Sequence, residues 1–172
     1  RYPQARQDFF NAFEKGALVF NYLGHGGEDG LSQERVFEKS DGQNLNNKYK
    51  YPLFITITCE FSRFDNPMRP TAGEYTYWNP RGGAIAMITT VRSIFKTTGE
   101  SFNDILAKHL FSYGSNNYVS IAEALRLAKT DTQAGTPVAN VVFFLGDPAM
   151  MLAFPKPNIR LTKINDIPVT EA

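Results

Sequence analysis

The stretch Leu53–Cys59 (LFITITC) constrains this chain more than any other. Its first six residues are all bulky apolar or β-branched. Such a run suits a strand covered on both faces, and strands of that kind belong to parallel sheets packed between helices. It ends in Cys59, the only cysteine in the sequence. Ligands of open parallel sheets bind just beyond the carboxyl ends of the strands, where this thiol falls. A second apolar run, Ala17–Leu23 (ALVFNYL), leads into Gly24-His25-Gly26-Gly27. Two buried strands thus each deliver one reactive group at the same end, a thiol and an imidazole.

The 172 residues suit one ordinary domain. A net charge of +1 leaves no electrostatic footprint for nucleic acid. No apolar run approaches the ~20 residues that a bilayer span needs. With one cysteine there is neither an internal disulfide framework nor a multi-cysteine zinc site. Opening at Arg1-Tyr2-Pro3 without an initiator methionine, the sequence reads as an excised piece. The lack of a targeting signal therefore says nothing about location.

Along the chain, Pro3–Lys15 is predicted helical, with Phe9, Phe10 and Phe13 on one face and Gly16 as its cap. Gly24–Gly30 is expected to be an irregular tight loop, and residues 38–50 a polar, Asn-rich one. Glu60–Pro70 reads as irregular and Thr71–Trp78 as a short helix. Ala84–Thr90 is a third buried strand. Gly99–Tyr113 and Ser120–Lys129 are amphipathic helices, the second opened by a Ser120/Glu123 capping box. Ala139–Leu145 suits a strand or the end of a buried helix, Gly146-Asp147-Pro148 a sharp turn, and Met150–Phe154 a last short strand. Pro155-Lys156-Pro157 looks like a linker, and the alternating tail beyond it like the first strand of a separate β domain. Helices interleaved with apolar strands give an α/β fold with a mainly parallel sheet.

A free thiol is only a few per cent ionised at neutral pH, so a nucleophilic Cys59 needs a partner. His25 supplies one as general base and acid, and a glycine-rich loop is a poor place for a packing histidine. The backbone N–H groups of Gly26 and Cys59 are candidate oxyanion donors, each typically worth ~100- to 1,000-fold in rate. The reaction class that fits is acyl transfer from an amide or ester carbonyl through a thioester. His109 lies on an apolar helix stripe and reads as structural. Glu28 and Asp29 follow His25, but without a second nearby histidine they do not make a metal site. The GHGG run lacks the lysine and spacing of a phosphate loop. Arg63 and Asp65 either organise the segment after Cys59 or touch substrate, and Tyr75, Tyr77 and Trp78 are most simply packing residues, the alternative being that they line a groove.

An apolar block ending in His-Gly followed by one ending in Cys resembles the caspase-like cysteine peptidases, among them caspases, legumains, clostripain and gingipains. The finer resemblance is to the gingipain family, and within it to the C-terminal signal peptidases and sortases of type IX secretion. It is carried by Asn21–Gly27 (NYLGHGG), Ile55–Pro67 (ITITCEFSRFDNP), Asn79–Thr90 (NPRGGAIAMITT) and Phe144–Met150 (FLGDPAM). This resemblance implies a caspase-like three-layer α/β fold, with residues 1–154 as the C-terminal part of a peptidase catalytic domain. Residues 155–172 would be a linker and the first strand of a following β-sandwich. It implies Cys59 as nucleophile, His25 as its partner, oxyanion donors at Gly26 and Cys59, and no cofactor. The segment Thr89–Phe95 resembles the one lining the gingipain specificity pocket, which makes Glu60, Thr89, Thr90, Val91 and Phe95 candidate pocket residues. Phe95 stands where a tryptophan would be expected, so arginine or lysine specificity does not carry over. The family's first half-sheet, and any acid orienting the histidine, would lie upstream of Arg1. The implied partners are secreted proteins bearing a C-terminal signal domain, anionic lipopolysaccharide as acceptor, and other type IX components at the outer membrane, facing the surface of a Gram-negative cell. A plain hydrolytic gingipain-like protease and a catalytically silent scaffold are the alternatives.

Overall fold

The computed structural model describes residues 3–113, 115, 117–131, 136–155, 162–164 and 167–168. In chain order its elements are α1 (Pro3–Lys15), β1 (Val19–Leu23), the short strands β2 (Gly26–Gly27), β3 (Gly30–Leu31) and β4 (Phe37–Glu38), then α2 (Lys39–Asn44) and β5 (Leu53–Ile57). There follow α3 (Ala72–Trp78), β6 (Ala86–Thr90), α4 (Lys96–Leu110), α5 (Ile121–Thr130), α6 (Thr136–Ala139), β7 (Val142–Leu145), and the pair β8 (Lys163–Ile164) and β9 (Ile167–Pro168). The main sheet runs β1-β5-β6-β7, with β1, β5 and β6 parallel and β7 antiparallel to β6.

The central strands β5 and β6 are buried throughout, as their unbroken apolar runs require. Alternation along β5 sorts its side chains between two cores. Leu53, Ile55 and Ile57 pack with Phe102 and Leu106 of α4 and with Ala124 of α5. Phe54 points the other way, into a phenylalanine-rich layer with Phe13 of α1, Leu31 and Phe37 of the short strands, and Phe61. Phe54 meets Phe13 edge to face at 5.7 Å and Phe61 likewise at 5.9 Å. Helices therefore cover both faces of a mostly parallel sheet, an α/β sandwich of three layers.

Several local expectations change. β1 is only half-buried, with Asn21 and Leu23 exposed, because among the described residues it is the outer strand of the sheet. The stretch Gly24–Gly30 is not wholly irregular: Gly26 and Gly27 form β2 and Gly30 opens β3, and the two join β4 in a three-stranded antiparallel sheet. Gly30, at φ +155°, lies so close to β4 that a Cβ there would stand 2.0 Å from the Phe37 carbonyl oxygen. The polar stretch 38–50 contains α2, held by tertiary contacts. Arg6 grips Asp41 through two hydrogen bonds of 2.8 and 2.6 Å, and Asp41 in turn accepts from the Glu38 N–H at 2.7 Å. The predicted Gly99–Tyr113 helix starts earlier and stops sooner, at Lys96 and Leu110. Ser120 caps α5 as expected, but Glu123 pairs with Arg126 in place of closing the box. The ambiguous run ends as strand β7, while Met150–Phe154 forms no strand; Met150 accepts from the Ile121 N–H and Phe154 stacks on Tyr118.

The helix α3 has a full capping box. Thr71 Oγ1 accepts from the Glu74 N–H at 3.3 Å, and Glu74 Oε2 accepts from the Thr71 N–H at 2.8 Å and the Thr71 hydroxyl at 2.7 Å. Thr71 is fully buried and Glu74 nearly so. Thr71→Val keeps the shape but removes a donor to a buried carboxylate, so it should destabilise by about 1–3 kcal/mol. Thermal melting should show a drop of ~2–4 °C per kcal/mol; an unchanged melting temperature would show that the box contributes nothing.

Candidate active site

Parallel pairing puts Leu23 opposite Ile57. His25 and Cys59 each follow two residues past those strand ends. Beyond the strands the pairing is sustained by the Thr58 hydroxyl, which donates to the Gly24 carbonyl at 2.7 Å. His25 and Cys59 accordingly line one cavity of about 410 Å³, together with Leu23, Ile57, Ile94 and Gly99. Its other wall is the first turn of α4, where Lys96 faces Glu100 at 3.6 Å. The cavity is thus an apolar slot with a paired charge couple at its rim.

Each reactive residue sits on a pinned loop. The His25 carbonyl accepts from the Tyr22 hydroxyl at 2.7 Å and from the Ser32 N–H at 2.7 Å. Burial pushes the Tyr22 hydroxyl above its ordinary pKa, so it stays a donor through the physiological range. Gly26, the expected oxyanion donor, has no room for a side chain: a Cβ would lie 2.6 Å from Thr58 Oγ1. That close approach is what lets the histidine loop lie against the cysteine strand. On the other side, Glu60 adopts a left-handed backbone at φ +49° directly after Cys59. Such a conformation in a non-glycine residue costs on the order of 1–3 kcal/mol and persists only where the surroundings over-determine it. Here the Thr90 hydroxyl donates to the Thr58 carbonyl at 2.5 Å, and the Ser62 N–H to the Thr90 carbonyl at 3.1 Å. The thiol itself donates to the Ile94 carbonyl at 3.8 Å.

A charge network joins the two loops. Arg63, from the segment after Cys59, reaches Glu28 of the histidine loop at 3.3 Å and Glu60 at 3.4 Å. Arg69 approaches the other Glu28 oxygen at 3.4 Å and pairs with Asp29 at 2.5 Å. Glu28 Oε2 and Arg63 Nε are buried without a hydrogen bond, so Arg69 serves Glu28 as a charge neighbour more than as a donor. Lys39, with Arg69 behind it, holds the Asp29 carboxyl below its ordinary range. Glu28 and Asp29 are thereby structural partners of cations, and among the described residues no cluster of three or more His, Cys, Asp or Glu is placed to hold a metal.

The candidate pocket residues are dispersed. Thr89 and Thr90 are fully buried and spend their hydroxyls internally, Thr89 accepting from Thr56 and donating to Ser62. Val91 is buried, Glu60 faces Arg63, and Phe95 is 82% exposed. The side chains that wall the cavity beside Cys59 include Ile94, which falls in the expected segment Thr89–Phe95, and Lys96 and Glu100, which sequence reasoning passed over. One signal was available: Gly99 sits inside a helix, where glycine is unfavourable without a packing reason. A Cβ there would meet Ile94 Cδ1 at 3.0 Å and Ile57 Cγ2 at 3.2 Å. Of the remaining candidates, His109 lies 3.9 Å from Asp131, and Asp65 pairs with Arg92.

Arg63→Ala should leave the Glu28 carboxylate short of a cation and cost about 1–3 kcal/mol, less than a fully buried pair because Arg63 is partly exposed. Adding Glu28→Gln should recover part of that loss in urea titrations. If the double variant is as unstable as the sum of the singles, the pair does not couple the loops.

The sequence profile of peptidase family C25 matches residues 1–153. No curated protein matches the chain in sequence. Among solved structures, the Arg-specific cysteine proteinase gingipain R (RgpB) superposes with a TM-score of 0.72 at 18% identity, covering 86% of this chain and 36% of that one. The complex of Porphyromonas gingivalis RgpB pro- and mature domains gives 0.69 at 16% identity, covering 86% and 37%. A further protease structure gives 0.69 at 20% identity, covering 87% and 39%. The chain spans little more than a third of these structures, and at such identities the likeness speaks for the fold, a gingipain-type caspase-like sheet. The profile match extends over nearly the whole chain, and the chain belongs to peptidase family C25, the gingipain family of cysteine peptidases.

Proposed function

We propose that Cys59 and His25 form the nucleophile–base dyad of a cysteine peptidase. The carrying observation is that the register of β1 on β5 brings both to one cavity. His25 takes the thiol proton, the sulfur attacks a carbonyl carbon, and backbone N–H groups at Gly26 and Cys59 receive the developing oxyanion. The imidazolium then protonates the leaving amine, leaving a thioester on Cys59.

We further propose that the parent enzyme is a C-terminal signal peptidase and sortase of the PorU type. It removes the C-terminal signal domain from proteins exported by type IX secretion, then passes the new carboxyl end to an amine on anionic lipopolysaccharide. Its place is the outer membrane, facing the cell surface, beside other components of that system. The four sequence stretches from Asn21 to Met150 support this reading.

Two measurements test the proposal. In the whole protein, iodoacetamide should alkylate Cys59 faster than free cysteine, and His25→Ala should abolish the excess; equal rates would remove the dyad. Cys59→Ala should leave secreted cargo with its C-terminal signal attached and free of lipopolysaccharide, as read by mass spectrometry. Normal cargo in that variant would reduce the domain to a scaffold.

A further inference from the structure

Each of the two peptide groups proposed to receive the oxyanion has a carbonyl at its other end. The Cys59 N–H belongs to the peptide that carries the Thr58 carbonyl, and the Gly26 N–H to the peptide that carries the His25 carbonyl. A side-chain hydroxyl takes each of these carbonyls. Thr90 donates to that of Thr58 at 2.5 Å, and Tyr22 donates to that of His25 at 2.7 Å. The hydroxyls arrive from opposite sides, Tyr22 from β1 and Thr90 from the end of β6, the two strands that flank β5.

The surroundings leave both bonds little freedom. Thr90 is fully buried, so its hydroxyl has no water to turn to. Its own carbonyl accepts from the Ser62 N–H at 3.1 Å, and one residue therefore holds the turn from Thr58 to Ser62 at both ends. Cys59 and the left-handed Glu60 lie between those anchors. Tyr22 packs tightly against the histidine loop: a Cβ on Gly24 would stand 2.9 Å from its hydroxyl oxygen. The Ser32 N–H shares the His25 carbonyl at 2.7 Å, which makes His25 and Ser32 a hydrogen-bonded pair of the antiparallel ladder. The next pair, Gly26 with Leu31, is then of the non-hydrogen-bonded kind. That alternation turns the Gly26 N–H away from β3, toward the open side of an outer strand.

We infer that Tyr22 and Thr90 are positioning residues for the oxyanion hole. Each hydroxyl fixes the plane of one donor peptide from its carbonyl end, and with it the direction of the N–H at the other end. Each also polarises its peptide, because hydrogen bonds linked in a chain strengthen one another. Donors held in place beforehand need not reorganise as charge develops, so the benefit falls on the transition state. The inference rests on the dyad and the two donors proposed above. It gives Thr90, expected in a pocket wall, a task at the other end of the Cys59 peptide.

The test compares two reactions of one sulfur in the whole protein. With p-nitrophenyl acetate, the sulfur attacks the acetyl carbonyl carbon, the carbonyl oxygen takes up negative charge, and p-nitrophenolate leaves as the thioester forms. With iodoacetamide, the sulfur displaces iodide from a saturated carbon and no oxyanion arises. Tyr22→Phe and Thr90→Val each remove one hydroxyl and keep the shape of the side chain. Each should slow acetylation of Cys59 by a factor on the order of ten, part of the ~100- to 1,000-fold that losing a donor outright costs. Alkylation should keep its rate in both, and Thr90→Ser, which retains the hydroxyl, should acetylate like the unmodified protein. Where Thr90→Val does not fold, Thr90→Ala is read in its place against Thr90→Ser. Acetylation at the unmodified rate in the hydroxyl-free variants overturns the inference. So does a fall of acetylation and alkylation in step, which is the mark of a structural role alone. If the unmodified protein is acetylated no faster than its Cys59→Ala form, the dyad itself fails and the positioning with it.

Discussion

Everything at this site depends on how β1 lies along β5. Parallel pairing sets Val19 to Leu23 against Leu53 to Ile57, residue by residue. A slip of one residue would turn each strand's side chains to the wrong face. A slip of two would keep the faces but carry His25 about 6.6 Å past Cys59, at ~3.3 Å per residue. The register is held from several directions. The Leu53 N–H donates to the Leu18 carbonyl at 3.0 Å, and Asn21 reaches Asn103 of α4 at 3.0 Å. Phe20 lodges among Phe9 and Phe13 of α1. Two reactive groups far apart in the chain are thus positioned by ordinary strand chemistry, and the loops only have to hold them there.

Holding them falls to small residues and hydroxyls. Gly26 admits Thr58, Gly73 admits Ser62, and a Cβ at Gly73 would stand 1.9 Å from the Ser62 oxygen. The chain Thr56–Thr89–Ser62 threads hydroxyls through the sheet beneath the turn that follows Cys59. Buried hydroxyls are tolerated when each has a partner, and a satisfied network specifies one arrangement more sharply than apolar packing does. The left-handed Glu60 shows that this arrangement is imposed on the backbone from outside, since glutamate has no intrinsic preference for it.

How much of this was legible in the sequence follows from what is local. The central strands announced themselves through unbroken β-branched runs, and α1 begins and ends where its phenylalanine stripe and Gly16 place it. His25 and Cys59 stood out because chemistry-bearing residues ended apolar runs. The glycine-rich stretch concealed a strand pair, because its pairing depends on Phe37 and Glu38, beyond the window in which glycine content is read. The helix α2 was hidden for the same reason: a clasp from Arg6 and hydrogen bonds from Asn79 to the Gly42 and Leu45 carbonyls hold an otherwise polar segment. The cavity walls were least legible. Lys96 and Glu100 join Cys59 around one cavity through the docking of α4 on β5, which no periodicity encodes.

Ile94 carries two duties at once. Its side chain walls the slot, and its carbonyl oxygen accepts from the thiol. Whatever enters the slot therefore touches the segment against which the sulfur rests, so the shape of the cavity and the resting position of the thiol are set by the same residue.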